Sequence, residues 1–384
     1  MIIEASVYLI VFGITAFMAF IFQNFYNLAF VKYNFNKYRK INTLSYCVIG
    51  CIFLLPIIAM FGLRYGIGTD YFSYEEIFND LHGSSIRTYF LLNNDGNSSS
   101  FYVEFGYYLL NVIFPSYRSM LWGIATIVIS LLFISLRDYS NRISFALAFF
   151  IYFSTQFIYL MNGMRFAIAI VFALVGYVYL AKNKTIPFLV FIFIAVLFHK
   201  SCLICLAMYF LKQIKFKSAN NARNILLLIG ILSFPALSKV LLKIAANISL
   251  FERYFSKSVY SASETMNASW VWILHIVPVL LPLIFLCRNE IFDNDETKTL
   301  FRICVMEIPL RMLGFFNTWY TRLSRISQIT YVLFIPLILS KVKDKNRRVI
   351  LYIYYVIWFI FYFAYYAIVN DQGASLPYTW IFNM

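Results

Sequence analysis

The run from Ile143 to Ala181 reads ISFALAFFIYFSTQFIYLMNGMRFAIAIVFALVGYVYLA and carries one charged side chain, Arg165. A helix needs about 20 apolar residues to cross the hydrocarbon core of a bilayer. The run therefore supplies two crossings, at 143–161 and 165–181, with Arg165 opening the second. Similar runs lie at 2–30, 43–61, 117–136, 224–246, 270–287, 300–316, 326–340 and 349–369. Together they predict about 10 transmembrane helices.

Composition agrees. Of the 384 residues, 62% are hydrophobic and 13% charged, and the mean hydropathy is +0.75. A soluble domain carries about a quarter of its residues as charges. A cytosolic enzyme, a secreted disulfide scaffold and a disordered chain are all excluded. The fold class is an all-α polytopic integral membrane protein, read as one transmembrane domain over 1–384 with no room for a large soluble domain. The net charge of +15 does not indicate nucleic acid. The cations sit in short clusters between apolar runs, as membrane topology requires, and no aromatic RNA platform accompanies them.

The six cysteines, Cys47, Cys51, Cys202, Cys205, Cys287 and Cys304, lie in or beside apolar runs and read as small packing residues. His199, Cys202 and Cys205 have a spacing that suggests a metal, but a thiolate site in an apolar helix needs supporting polar groups that the sequence does not offer. No metal and no cofactor is expected. The chain begins with one acid, Glu4, and no cation, so the first run reads as an uncleaved helix and not a signal peptide.

Charge sets the expected sidedness. Basic clusters at Lys32/Lys37/Arg39/Lys40, Arg137/Arg142, Lys182/Lys184, Lys212/Lys215/Lys217/Arg223, Arg288/Lys298 and Lys341/Lys343/Lys345/Arg347/Arg348 belong to the cytoplasmic side. The long loop 62–116, with Asp70, Glu75, Glu76, Asp80, Asp95 and Glu104 against Arg64 and Arg87, belongs outside. Both termini then face out. The stretch 186–211 keeps this pattern if it is a short helical hairpin turning at Phe198-His199-Lys200-Ser201; one tilted span would invert every later loop. The hairpin is the preferred reading, and its tip places His199 and Lys200 at depth, which requires a polar cavity. The polar run Asn93 to Ser100 is a turn, and no internal repeat of a transporter type is visible.

Four cations oppose the sidedness rule. Arg64 follows the second run, Arg165 opens the fifth, and Arg322 and Arg325 open the ninth. All four fall near the outer face, with no run of acids beside them. Arginine matches two phosphate oxygens with its planar fork, so an outward cavity ringed by these residues suits an anion, above all a diphosphate. Snorkelling of single arginines to headgroups is the alternative. The segment Phe61 to Tyr71, FGLRYGIGTDY, adds glycines for tight turns and amides for a phosphate. Asp70 in it is a general base, an orienting group for an arginine, or the cap of a helix from Tyr71 to Asn79 with Ser73 and Glu76 as a capping pair. Glu307 and Arg311, four apart, read as an internal ion pair, and His275 as a packing residue.

Three blocks carry a resemblance. Arg64-Tyr65-Gly66-Ile67-Gly68-Thr69-Asp70-Tyr71 is followed by Tyr74 and Phe78. Met164-Arg165-Phe166 is followed one span later by Phe198-His199-Lys200-Ser201. Thr321-Arg322-Leu323-Ser324-Arg325 precedes a late span, with Leu376-Pro377-Tyr378 near the C-terminus. In this order they resemble the EpsG family of Wzy-type polysaccharide polymerases. Where that family often has Gln after the second arginine, this chain has Phe166.

The resemblance implies a glycosyltransferase of GT-C-like fold, acting at the outer, periplasmic face of a bacterial inner membrane. Its substrates would be undecaprenyl diphosphate-linked oligosaccharides, donor and acceptor, and a chain-length regulator would be a possible partner. On that basis Arg165, Arg322 and Arg325 are expected to hold the diphosphate, with Arg64 as a fourth contact. Thr69 and Tyr71 are expected to touch substrate, and His199 or Asp70 to take the acceptor's proton, His199 being preferred because imidazole titrates near neutrality. An O-antigen ligase uses the same donor, and a lipid-linked oligosaccharide flippase makes no bond; these are the competing readings.

Overall fold

The computed structural model describes residues 2–27, 42–94, 103–213, 271–313, 322–369 and 374–383. Lys32, Lys37, Arg39, Lys40, Lys215, Lys217, Arg223, the run 224–246 and the side chain of His275 lie outside the described residues, as does most of the turn from Asn93 to Ser100. Within them the chain is helical, with one isolated β-bridge and no strand. It divides into two compact units, residues 1–206 with 331–384, and residues 207–330.

The first unit holds α1 (Ile2–Tyr26), α2 (Thr43–Phe53), α3 (Leu55–Gly62), α4 (Tyr71–Leu81), α5 (Ile86–Asn94), α6 (Phe105–Ile113), α7 (Tyr117–Leu136), α8 (Phe145–Asn162), α9 (Met164–Ala181) and α10 (Thr185–Phe198). The second holds α11 (Ala207–Gln213), α12 (Val271–Leu286), α13 (Arg288–Ile291), α14 (Asp295–Val305), α15 (Glu307–Met312) and α16 (Arg325–Gln328). The first unit then resumes with α17 (Tyr331–Lys341) and α18 (Lys345–Ala364). Among the described residues six helices are long and apolar enough to cross a membrane: Ser6–Tyr26, Tyr117–Tyr139, Phe145–Asn162, Met164–Ala181, Arg322–Lys341 and Lys345–Val369. The chain is a multi-pass membrane protein, and each of these helices falls on an expected run.

Local chemistry sets the helix ends. Ser144 caps α8 by accepting from the Leu147 amide at 3.3 Å. Ser116 and Ser119 form a reciprocal capping box at the start of α7. Asp344 accepts from the amides of Asn346 and Arg347 at the start of α18. Each satisfies donors that a helix leaves orphaned. Gln23 near the end of α1 binds the Ile143 carbonyl at 2.6 Å and the Phe145 amide at 2.9 Å, tying α1 to the start of α8.

The expected single span 43–61 is broken. α2 and α3 meet at a bend of 73°. Pro56, in the first turn of α3, has no amide to give to the preceding turn, and its ring clashes with a carbonyl there. The stretch 186–211 is broken as well: α10 stops at Phe198, His199 is extended at φ −158°, and a 3-10 run from Lys200 to Leu206 follows. The expected loop 62–116 is mostly helical, containing α4, α5 and α6.

Burial separates centre from rim in the first unit. The apolar windows of α8 and α9 are 83% buried, those of α1 and α18 28%. α8 therefore reads as apolar on every face. Aromatic rings bind it to its neighbours: Phe12 packs on Phe153 at 5.7 Å and on Phe363 at 5.0 Å, and Phe133 meets Phe149 at 4.9 Å. α2 crosses α7 where Gly50 leaves the Phe133 ring its place, so a Cβ there would overlap the ring. Small residues at such crossings let membrane helices approach closely. Because Phe133 is fully buried, it cannot swing aside. Gly50→Leu is therefore expected to destabilise the protein by about 1–3 kcal/mol, read as a lower unfolding midpoint in detergent; an unchanged midpoint would show that the crossing is loose.

Candidate active site

The backbone leaving α3 has no helical partners, and buried amides and carbonyls must find them elsewhere. The C-terminal segment provides them. Arg64 bridges to Trp380, the Tyr65 amide donates to Thr379 at 3.1 Å and the Ile381 amide to Leu63 at 3.1 Å. The Tyr378 hydroxyl donates to the Met60 carbonyl. The Leu376-Pro377-Tyr378 block thus docks beside the Arg64 block. Gly68 sits at φ +102°, and a Cβ on it would lie 2.8 Å from the Met161 carbonyl oxygen, so glycine is required twice over at this position.

Arg64 is fully buried. One terminal nitrogen donates to the carbonyls of Ile67, at 3.1 Å, and Met161; the other reaches the Met164 sulfur at 3.3 Å. The guanidinium lies 4.3 Å from the Phe61 ring centre and 5.5 Å from that of Tyr71. Carbonyl dipoles and aromatic faces stand in for a carboxylate. Burial lowers its pKa, but an arginine starts so high that it stays a cation. The expected fourth diphosphate contact is therefore enclosed, with its terminal nitrogens bonded to this chain. Tyr71 is likewise buried, its ring edge-on to Tyr65 and Tyr117 at 5.9 and 5.3 Å.

The turn from Asn162 to Arg165, between α8 and α9, is the meeting point. Asn162 Oδ1 accepts from the Thr69 hydroxyl at 2.7 Å and from the Asp70 amide at 3.1 Å. The Thr69 hydroxyl also lies 3.2 Å from Asp70 Oδ1, but it has one proton, and the shorter contact to Asn162 takes it. Asp70 occupies the cap position of α4 without a side-chain capping bond. The expected capping role is not what it does: its half-buried carboxylate is left with lone pairs free to accept.

Three residues on, Arg165 donates to Glu104 at 2.7 Å. Glu104 is 3% exposed and Arg165 24%. The guanidinium sits 5.9 Å from the Tyr74 ring. A local acid, then, does neutralise this arginine, contrary to the expectation from sequence. Phe166 meets the His199 ring edge-on at 4.9 Å. His199 Nδ1 accepts from the Ser201 amide at 3.3 Å, which puts the proton of the neutral ring on Nε2. Gly106 of α6 abuts Leu197 of α10 so closely that a Cβ would lie 2.9 Å from its carbonyl oxygen; this brings Glu104, at the head of α6, beside the end of α10. Arg64, Thr69, Asp70, Arg165 and His199 are thus linked through one turn of the first unit.

In the second unit Arg325 is buried and opens α16, and Arg322 is half-buried in the short 3-10 turn before it. The expected Glu307–Arg311 pair forms at 3.2 Å, with Glu307 fully buried. Arg302 donates to the Lys212 carbonyl at 2.8 Å.

Sequence reasoning missed Asn162, Glu104 and Arg118. Arg118, in the first turn of α7, reaches the carbonyls of Gly62 and Arg64 at 3.4 and 3.5 Å. Glu104 had a signal: it is the acid of the outer loop that directly precedes an apolar helix. Asn162 had none beyond preceding Gly163.

The helices and the linked polar groups define a polytopic membrane protein with a charged site at the turn between the buried helices α8 and α9. A model of the EpsG family matches residues 47–380, and the chain belongs to that family. The family is one of glycosyltransferase-like polymerases, which places the chain in polysaccharide biosynthesis. No curated protein and no solved structure matches it.

Arg64→Met is expected to cost about 1–3 kcal/mol for each carbonyl left without a donor, seen as a falling unfolding midpoint. Arg165→Gln leaves the Glu104 carboxylate buried and unpaired, at a cost of about 3–5 kcal/mol. The double variant Glu104→Gln/Arg165→Gln should recover most of that loss in the same measurement; strict additivity of the two single changes would show that the pair contributes nothing.

Proposed function

We propose that this protein is a polysaccharide polymerase that transfers a growing glycan from undecaprenyl diphosphate to a new undecaprenyl diphosphate-linked repeat unit. We place this reaction at the periplasmic face of the bacterial inner membrane, on a GT-C-like scaffold. The observation that carries the proposal is Arg165: a partly exposed guanidinium at the head of an apolar helix, held by Glu104 and three residues along the chain from Asn162, which accepts from the Asp70 amide.

In the reaction the acceptor hydroxyl oxygen bonds to the anomeric carbon of the donor glycan, and the bond from that carbon to the diphosphate oxygen breaks. Negative charge gathers on the departing diphosphate. Arg165 meets it, since fixed cations in a dry site stabilise charge where it develops. Asp70 takes the hydroxyl proton, because the one hydroxyl beside its carboxylate, that of Thr69, has its shorter contact to Asn162. His199, with its proton on Nε2, acts as a hydrogen-bond donor and not as the base. Arg64 and Tyr71 position the loop. Thr69, exposed at its tip, is the member of that pair left for substrate contact. The bilayer supplies the lipid-linked substrates, and a chain-length regulator would act as a separate partner.

The test is a gel profile of surface glycan from cells lacking the gene, complemented with wild type, Asp70→Asn, His199→Gln or Arg165→Lys. The null is expected to show glycan capped at one repeat unit, and wild type to restore the ladder. Loss of a general base costs about 10²–10⁴-fold, so Asp70→Asn should leave the ladder absent. His199→Gln should weaken it less. Arg165→Lys keeps the charge but loses the fork, and should shorten the ladder. A null lacking even the single capped unit would assign the protein to ligation or an earlier step.

A further inference from the structure

At the end of α8 opposite Asn162, the helices α8, α17 and α18 enclose a cleft of about 300 Å³. α8 has 18 residues, so the cleft lies about 27 Å from the Asn162 turn, close to the thickness of a hydrocarbon core. Its walls are mainly apolar: Leu147 from α8, Leu339 from α17, Val349 and Ile353 from α18. The Ser144 and Tyr352 hydroxyls, 3.2 Å apart, are its inner polar groups. Arg348 lines it and is exposed.

The charge around it has one sign. Lys341, Lys343, Lys345, Arg347 and Arg348 fall within eight residues, against Asp344 alone. That carboxylate is committed to the amides that start α18. The Arg348 guanidinium makes no hydrogen bond or ion pair among the described residues, its amide bonding to the Asp344 carbonyl at 3.0 Å. Basic clusters beside a transmembrane helix attract anionic lipid, and basic pockets between such helices hold its headgroup. A soluble anion gains nothing from the apolar walls, and a lipid without net charge gains less from the cations than an anionic one.

We propose that this cleft is a binding site for one anionic phospholipid, with an acyl chain against Leu147, Leu339, Val349 and Ile353 and the phosphate on Arg348. The site is separate from the chemistry proposed at the other end of α8 and does not rest on it.

The experiment is native mass spectrometry of the purified full chain in detergent, titrated with phosphatidylglycerol or phosphatidylcholine of the same acyl chains. Wild type is expected to retain phosphatidylglycerol at least about fivefold more tightly. Arg348→Gln should lose about fivefold for phosphatidylglycerol and less for phosphatidylcholine, whose choline offsets the charge of its phosphate. Lys343→Gln, in the same cluster but outside the cleft, should change neither appreciably. Ile353→Trp should fill the cleft and weaken both. Arg348 is exposed, so its variant decides the matter even if Ile353→Trp does not fold. Equal binding of the two lipids by wild type would overturn the proposal. So would an equal loss in Lys343→Gln, which indicates diffuse attraction, or displacement of phosphatidylglycerol by equimolar undecaprenyl phosphate, which makes the cleft a carrier-lipid site.

Discussion

The first unit is organised around a cation that has no acid. Arg64 is taken out of water completely, and a charge so placed is tolerable only if its surroundings are fixed to receive it. The carbonyls of Ile67 and Met161 and the rings of Phe61 and Tyr71 do so. These groups come from the end of α3, the Gly-Thr-Asp loop, the start of α4 and the end of α8. Satisfying one guanidinium therefore fixes four segments. Asn162 and Gly68 follow from this: the loop lies flat on the end of α8, close enough for Asn162 to hold it and too close for a side chain at 68.

Much of the fold was legible because apolar length is a one-dimensional quantity. The helices at 145–162, 164–181 and 345–369 fall within a few residues of the runs that predicted them. The 73° break at Leu54 was also written in the sequence, as Pro56, but the length of an apolar run does not register a proline within it. The helical character of 62–116 was harder to see. α4 and α6 are short, and their packing on α7 decides them more than their own periodicity does.

The site was half legible. The topology rule singled out Arg64 and Arg165, and the structure holds each by bonds to distant parts of the chain. What holds each one was not readable, because Glu104 is 61 residues from Arg165 and Met161 is 97 from Arg64. The same residue type at the same apparent depth resolves into an enclosed clamp and a half-open fork. The motif that looks most like a ligand contact, Arg64 through Tyr71, is largely occupied with holding itself in place. Which ring nitrogen of His199 accepts from the Ser201 amide is a fact of geometry invisible in a string.

The Glu104–Arg165 pair also bears on selectivity. Every phospholipid around such a protein carries a phosphate, and a bare arginine at a membrane surface is open to all of them. Paired at 2.7 Å with a buried carboxylate, Arg165 offers little net charge from a distance, and a single headgroup phosphate would have to compete with an acid already in place. The diphosphate of the proposed donor, with more charge on neighbouring groups, would compete better with that acid. In the proposed reaction the pair would act as a filter against the solvent of the protein, the bilayer itself.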